Sequence, residues 1–180
     1  MPMVEQYVLH GLPVRIANTR SDIQTEAVAQ RLTEALDLIA TYAPRRYRRL
    51  RNDFAGIVVQ RFACRGAFFP ESSECLVELT FTVNPRHALP EIAASIVHEA
   101  LHARVARMCG TRPSKQRARE ERLCRRAELE FGLALPDGAV VVQRARDSLA
   151  LADHEVGPAV DWAEAARRVA EVDAESRRSH

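Results

Sequence analysis

The sequence predicts an α+β fold, and three observations carry that prediction. Residues 74–83 (ECLVELTFTV) place Leu76, Glu78, Thr80 and Thr82 on one face and Cys75, Val77, Leu79, Phe81 and Val83 on the other, the alternation of a strand with one buried side. Residues 90–109 instead repeat their apolar side chains at helical spacing. Along the 180 residues the segments run β, α, several β, α, α and a helical tail, an order that suits one domain with a small, mostly antiparallel sheet.

The elements follow in order. Residues 7–17 read as short and β-like, interrupted by Gly11 and Pro13. A helix is expected from Ser21, capped by Ser21 or Asp22, with Ile23, Ala27, Leu32, Ala35, Leu36 and Ile39 in register and Pro44 as its stop. Strands are expected over 56–63 (GIVVQRFA) and 74–83, joined through the turn residues of GAFFPESS as a hairpin, and Asn84-Pro85 ends the second. Pro90 suits the first turn of the next helix and Gly110 its end. After a basic loop containing Pro113, a helix over 114–135 stops at Pro136-Asp137-Gly138. The rest is amphipathic and helical, divided at Gly157-Pro158. Residues 1–136 thus form the core, and 137–180 a helical extension packed on the same domain.

Composition narrows the classes of function. Hydrophobic residues make up 47% and charged residues 28%, ordinary values that argue against bulk disorder. No apolar run approaches the length needed to cross a bilayer, and the first eleven residues lack the basic-then-apolar pattern of a secretory signal. A soluble, cytoplasmic protein is therefore expected, without a membrane partner. The four cysteines, at 64, 75, 109 and 124, form no CxxC pair and are expected as thiols, although Cys64 and Cys75 could meet across a hairpin. Net charge is only +2, and the single lysine, Lys115, marks an arginine bias rather than selection for a polyanion. One local cluster, RRYRRLR at 45–51, admits a nucleic-acid reading through phosphate contacts. The preferred reading is a solvated helix end leading into a strand.

Residues 98–102 read HEALH, a match to HExxH. Positions i and i+4 of a helix project from nearly the same side, so His98 and His102 can grip one zinc ion. Glu99 is then placed to take a proton from a water that attacks a carbonyl while the metal polarises it. The motif lies within the helix IAASIVHEALHARVARM, beside a stripe of Ala94, Val97, Leu101, Val105 and Met108. The bland alternative, two incidental histidines and a surface glutamate, fits this setting less well. A catalytic zinc site needs a third protein ligand. No histidine follows at the metzincin spacing, and His10, His87 and His154 read as ordinary polar residues. Carboxylates of the next helix, Glu120, Glu121, Glu128 and Glu130, are the better source.

A strand, an HExxH helix and a following glutamate-bearing helix resemble the gluzincin branch of the zincin metallopeptidases. More narrowly, HEALH followed by ERLCRRAELEFGLALP looks like the ImmA/IrrE type, with Glu121, Leu123, Cys124, Ala127, Phe131 and Pro136 at matching positions and Arg125 where that family has Asn or Asp. The resemblance covers about 40 residues of 180. It implies a zincin-like core, a zinc peptidase acting on a protein or peptide, a substrate-pairing edge strand at 76–83, and Glu121 as third ligand. Helical geometry points instead to Glu120, which falls in line with Leu123, Cys124, Ala127 and Phe131. Two other functions fit the same residues: a metal-binding regulatory module without catalysis, and a protease acting near nucleic acid.

Overall fold

The first two strands form a tight hairpin, β1 (Val4–Leu9) and β2 (Leu12–Ala17), in the computed structural model, which describes residues 4–110, 116–158 and 161–178. The expected single β-like segment is two strands. His10 and Gly11, which interrupt it, both take positive φ (53° and 75°), the requirement of a two-residue turn that follows the twist of the strands. In β2, Leu12, Val14 and Ile16 point into the core while Pro13 and Arg15 face outward.

Helix α1 (Thr25–Tyr42) begins four residues later than expected. Ser21 and Asp22 do not cap it. The entering loop is held by Asn18, whose Nδ2 donates to Ile23 O (2.7 Å), and Asp22 is engaged by Arg20. The apolar side of α1 (Val28, Leu32, Leu36 and Ile39) is fully buried. Pro44 ends α1 but opens a second helix, α2 (Pro44–Asp53), where it occupies the first turn. The arginine run is therefore a helix in its own right. It leaves Arg45, Arg48, Arg49 and Arg51 exposed, while Arg46 pairs with Glu130.

The sheet is mixed rather than mostly antiparallel. It contains β3 (Gly56–Gln60), β4 (Gly66–Phe69) and β5 (Glu74–Glu78), in the order β1-β2-β3-β5-β4. β3 pairs in parallel with both β2 and β5, so 56–63 and 74–83 do not form the expected hairpin. The segment taken as their connection supplies β4, an edge strand antiparallel to β5 with Gly66 opposite Val77 and Phe69 opposite Glu74. β5, flanked on both sides, buries Cys75, Leu76, Val77 and Glu78 on both its faces.

The strand expected through Val83 stops at Glu78, and α3 (Leu79–Val83) follows. Glu78 is the cause. Its Oε2 accepts from Phe81 N–H (2.6 Å), its backbone oxygen accepts from Thr82 Oγ1 (2.8 Å), and its other carboxylate oxygen pairs with Arg61. A capping acidic residue thus converts an alternating segment into a helical turn.

Helix α4 (Leu89–Cys109) carries HEALH at its middle. Glu91 accepts from Ala88 N–H (2.9 Å) at its start, and Gly110 ends it with φ +69°. Its first half is largely enclosed, with Glu91 through Glu99 all buried, because the sheet, α1, α2 and α5 (Arg117–Ala134) surround it. The expected apolar stripe therefore holds only in part: Ala94 and Val97 are buried, Leu101 and Val105 are half-buried, and Met108 is exposed. Helix α6 (Ala139–Leu149) lies along α5 and contributes Val141 to the main core. The tail continues as α7 (Asp153–Val156) and α8 (Trp162–Arg178). α8 is anchored by Trp162 on Phe62, ring centroids 5.3 Å apart, and by Asp173 on Arg61 (2.9 Å). Among the described residues no helix is long and apolar enough to cross a membrane.

Candidate metal centre

α4 and α5 pack along each other, and the polar side chains at their contact are two histidines facing a row of glutamates. His98 and His102, one turn apart, bring their Nε2 atoms to 3.2 Å from each other. Glu121 spans the pair: one carboxylate oxygen lies 3.2 Å from His98 Nε2 and the other 3.4 Å from His102 Nε2.

The outer nitrogens are held as well. His98 Nδ1 meets Glu128 Oε1 at 2.5 Å, and His102 Nδ1 meets Glu120 Oε1 at 2.7 Å. An ionised carboxylate only accepts, so each Nδ1 carries the proton and each Nε2 turns a lone pair inward. Two such lone pairs 3.2 Å apart, facing a third acceptor, repel one another unless a cation or a proton lies between them. Four ligands around zinc at 2.0–2.1 Å stand about 3.3 Å apart, which matches the separations here. The chemistry of the donor set therefore fits a metal ion.

Cys124, one turn beyond Glu121, belongs to the same cluster. The ligand atoms of His98, His102 and Cys124 all lie within 4.8 Å of one another, and this buried group could hold a metal ion. The sequence had not marked Cys124 as a ligand, since its partners are histidines on another helix rather than a second nearby cysteine.

The electrostatics follow from crowding charges out of water. Burial opposes a positive charge on His98, but the Glu121 and Glu128 carboxylates override it and raise the imidazole to about 10. His102 is raised in the same way, against burial, by Cys124, Glu120 and Glu121. Burial raises Glu121 and Glu128, yet their histidine partners outweigh it and hold both carboxyls below the usual range. In both histidines the site favours positive charge where a metal would supply it.

Glu99 differs from the other glutamates. It is buried, and among the described residues it makes no direct hydrogen bond or ion pair. Burial raises its carboxyl, and the nearby histidines only partly offset this. Its side chain rests against β4: a Cβ on Gly66 would sit 2.8 Å from Ser95 Oγ and 3.1 Å from Glu99 Oε1. The edge strand beside the site is thus β4, not the 76–83 segment expected for that place, which is partly interior strand and partly α3.

The cluster opens into a cleft of about 900 Å³, whose walls include Gly66, Ala67 and Phe68 of β4, Arg125 of α5, Arg144 of α6 and Trp162 of α8. All four helices after α4 reach the cleft, so the tail is part of the site's surroundings. No known protein family, curated protein or solved structure matches the chain.

Proposed function

We propose that the chain is a zinc peptidase of the zincin kind, in which His98, His102 and Glu121 hold the metal and Glu99 is the general base. One observation carries this reading: His98 Nε2, His102 Nε2 and the Glu121 carboxylate converge at 3.2–3.4 Å beside the buried Glu99 in an open cleft. Zinc, when bound there, supplies a Lewis acid for the substrate carbonyl.

The chain's own groups supply the remaining steps. Glu128 and Glu120 fix both imidazoles through Nδ1 and keep Nε2 turned inward. Glu99, basic for a carboxylate because it is buried, takes the proton of the attacking water and returns it to the leaving amine. β4, paired only with β5 among the described strands, offers its outer edge to an extended peptide running antiparallel to it.

The test is a mass-spectrometric digest of a mixed peptide library by zinc-loaded protein and by its Glu99→Gln variant. The expected result is zinc-dependent cleavage that Glu99→Gln lowers by about 10² or more at unchanged zinc content. Equal cleavage by both proteins would make Glu99 a bystander.

A second reading is favoured by Cys124, which groups with His98 and His102 and, if Glu121 also ligates, would give the four protein ligands of a closed structural site in a regulatory module. It predicts full zinc binding with no cleavage, and loss of the metal on Cys124→Ser.

A further inference from the structure

Four arginines face the cleft, and three of them, Arg65, Arg125 and Arg144, are linked through only two carboxylates. Arg65 donates from Nη1 to Glu91 Oε1 (3.2 Å), and Arg144 approaches the same oxygen at 3.9 Å. Arg144 also donates from Nη2 to Glu128 Oε2 (2.9 Å), while Arg125 donates from Nη1 to Glu128 Oε1 (2.7 Å). These contacts form a chain of alternating charge, Arg65–Glu91–Arg144–Glu128–Arg125, that reaches His98 through Glu128. Arg117, the fourth, bonds only the Pro158 backbone oxygen (3.0 Å) among the described residues.

Three cations thus share two carboxylates, and Glu91 is further committed to the start of α4 and to His87. Glu120 and Glu121 face the imidazoles instead. Among the described residues the Nε donors of Arg125 and Arg144 are buried without a partner, a state that buried donors in native proteins rarely hold. The wall carries an excess of positive charge and lacks acceptors.

Its place along the cleft follows from β4. Gly66, the first residue of β4, lies on Ser95 and Glu99, and Arg65 precedes it. Glu91, which Arg65 grips, is about two helical turns before Glu99 on α4. A peptide antiparallel to β4 runs toward its C-terminus in the direction of Arg65. The arginine chain therefore starts beside the metal centre at Arg125 and Glu128 and extends past Glu99 to Arg65, on the C-terminal side of the bond to be cut.

We infer that Arg65, Arg125 and Arg144 bind a substrate carboxylate on the C-terminal side of the scissile bond, supplied by an Asp or Glu side chain or by the free C-terminus. This rests on the peptidase reading above. The guanidinium's planar fork matches a carboxylate, and an acceptor there would neutralise the surplus charge.

Three succinyl hydroxamates test it, because the chelating head directs the rest of each molecule to the C-terminal side. They end in Glu amide, in Gln with a free carboxylate, and in Gln amide, and their affinities are measured by calorimetry on the zinc-loaded Glu99→Gln protein. The expected result is that one or both acids bind at least tenfold more tightly than the Gln amide, and that the better acid identifies the carboxylate's source. Arg144→Gln and Arg125→Gln should cut that gain to threefold or less at unchanged zinc content. Arg65→Gln, at a more exposed position, gives the same readout if the others fail to fold. Equal affinity of the three probes, a gain that survives the arginine variants, or no binding by a zinc-loaded protein overturns the inference. The peptidase reading fails separately, by loss of the library cleavage or by hydroxamate affinities that zinc does not change; the ratio of acid to amide still judges the arginines.

Discussion

Glu128 is fully buried and meets His98 Nδ1 at 2.5 Å, the closest contact the imidazole makes with any carboxylate of α5. It also receives Arg125 and Arg144, so one side chain orients a metal-binding histidine and neutralises two cations. Glu128→Gln should lower zinc affinity by about 10–100-fold, the usual cost of removing an outer partner of a ligating histidine. Glu128→Ala should also destabilise the zinc-free protein by about 1–3 kcal/mol, because it leaves the half-buried Arg125 and Arg144 without this counterion. Chelator competition and urea denaturation measure the two effects. A variant with native zinc affinity would mean that His98 is oriented by something else.

The competing third ligands separate by a similar measurement. Glu121 faces both Nε2 atoms, whereas Glu120 touches only the outer nitrogen of His102. Glu121→Ala should therefore remove most of the bound zinc, and Glu120→Ala should weaken it by about 10–100-fold. Cys124→Ser should leave zinc bound if Glu121 is the ligand and should release it if the thiol is. Loss on Glu120→Ala without loss on Glu121→Ala would reverse the assignment.

What could be read from the sequence depended on whether the signal was local. The helix around HEALH was legible because Pro90 and Gly110 mark its ends and the motif fixes its spacing. Its burial was not, since α4 is largely enclosed in its first half and shows no clean apolar face there. β4 was hidden in GAFFPESS because a four-residue edge strand has too little pattern to show. At 79–83 the alternation was real, but Glu78 capped the segment into a helix, and strand and helix periods are hard to separate over five residues. In the site, the helical wheel of α5 favoured Glu120 because it treats the apolar side as the contact side. The α4–α5 contact is instead lined by histidines and glutamates, and there Glu121 faces both Nε2 atoms. Cys124 and the arginine wall depend on which helices meet, which no local pattern records.

Thiol chemistry checks the packing independently of function. All four cysteines are thiols rather than disulfides; Cys75 and Cys124 are buried, Cys64 is half-buried and Cys109 is exposed. Burial, reinforced by Glu99, raises the Cys64 thiol to about 11, and burial holds Cys75 well above the usual range. The thiolate is the reactive form, so a raised pKa lowers reactivity at pH 8 and reactivity grows as pH climbs toward that value. Iodoacetamide at pH 8 should label Cys109 first and Cys64 slowly, with Cys75 protected until the chain unfolds. Mass spectrometry of the labelled peptides follows the order. Early labelling of Cys75 would contradict its place in the core.

Gly66 offers a way to move the general base without touching the metal. A Cβ there would fall 2.8 Å from Ser95 Oγ and 3.1 Å from Glu99 Oε1, closer than packed atoms tolerate. In Gly66→Ala either β4 retreats from α4 or Glu99 swings away, and both separate the base from a substrate held on the strand edge. Displacements of about 1 Å can cost about 10² in rate, so cleavage should fall by that order while zinc affinity stays within about twofold. Adding Ser95→Gly removes the tighter of the two contacts and should restore part of the rate, leaving the approach to Glu99 as the residual defect. If Gly66→Ala cleaves normally, the strand edge and Glu99 are not coupled as this packing requires. If it loses zinc instead, the change has reached His98 through α4, and the separation of base from metal site does not hold.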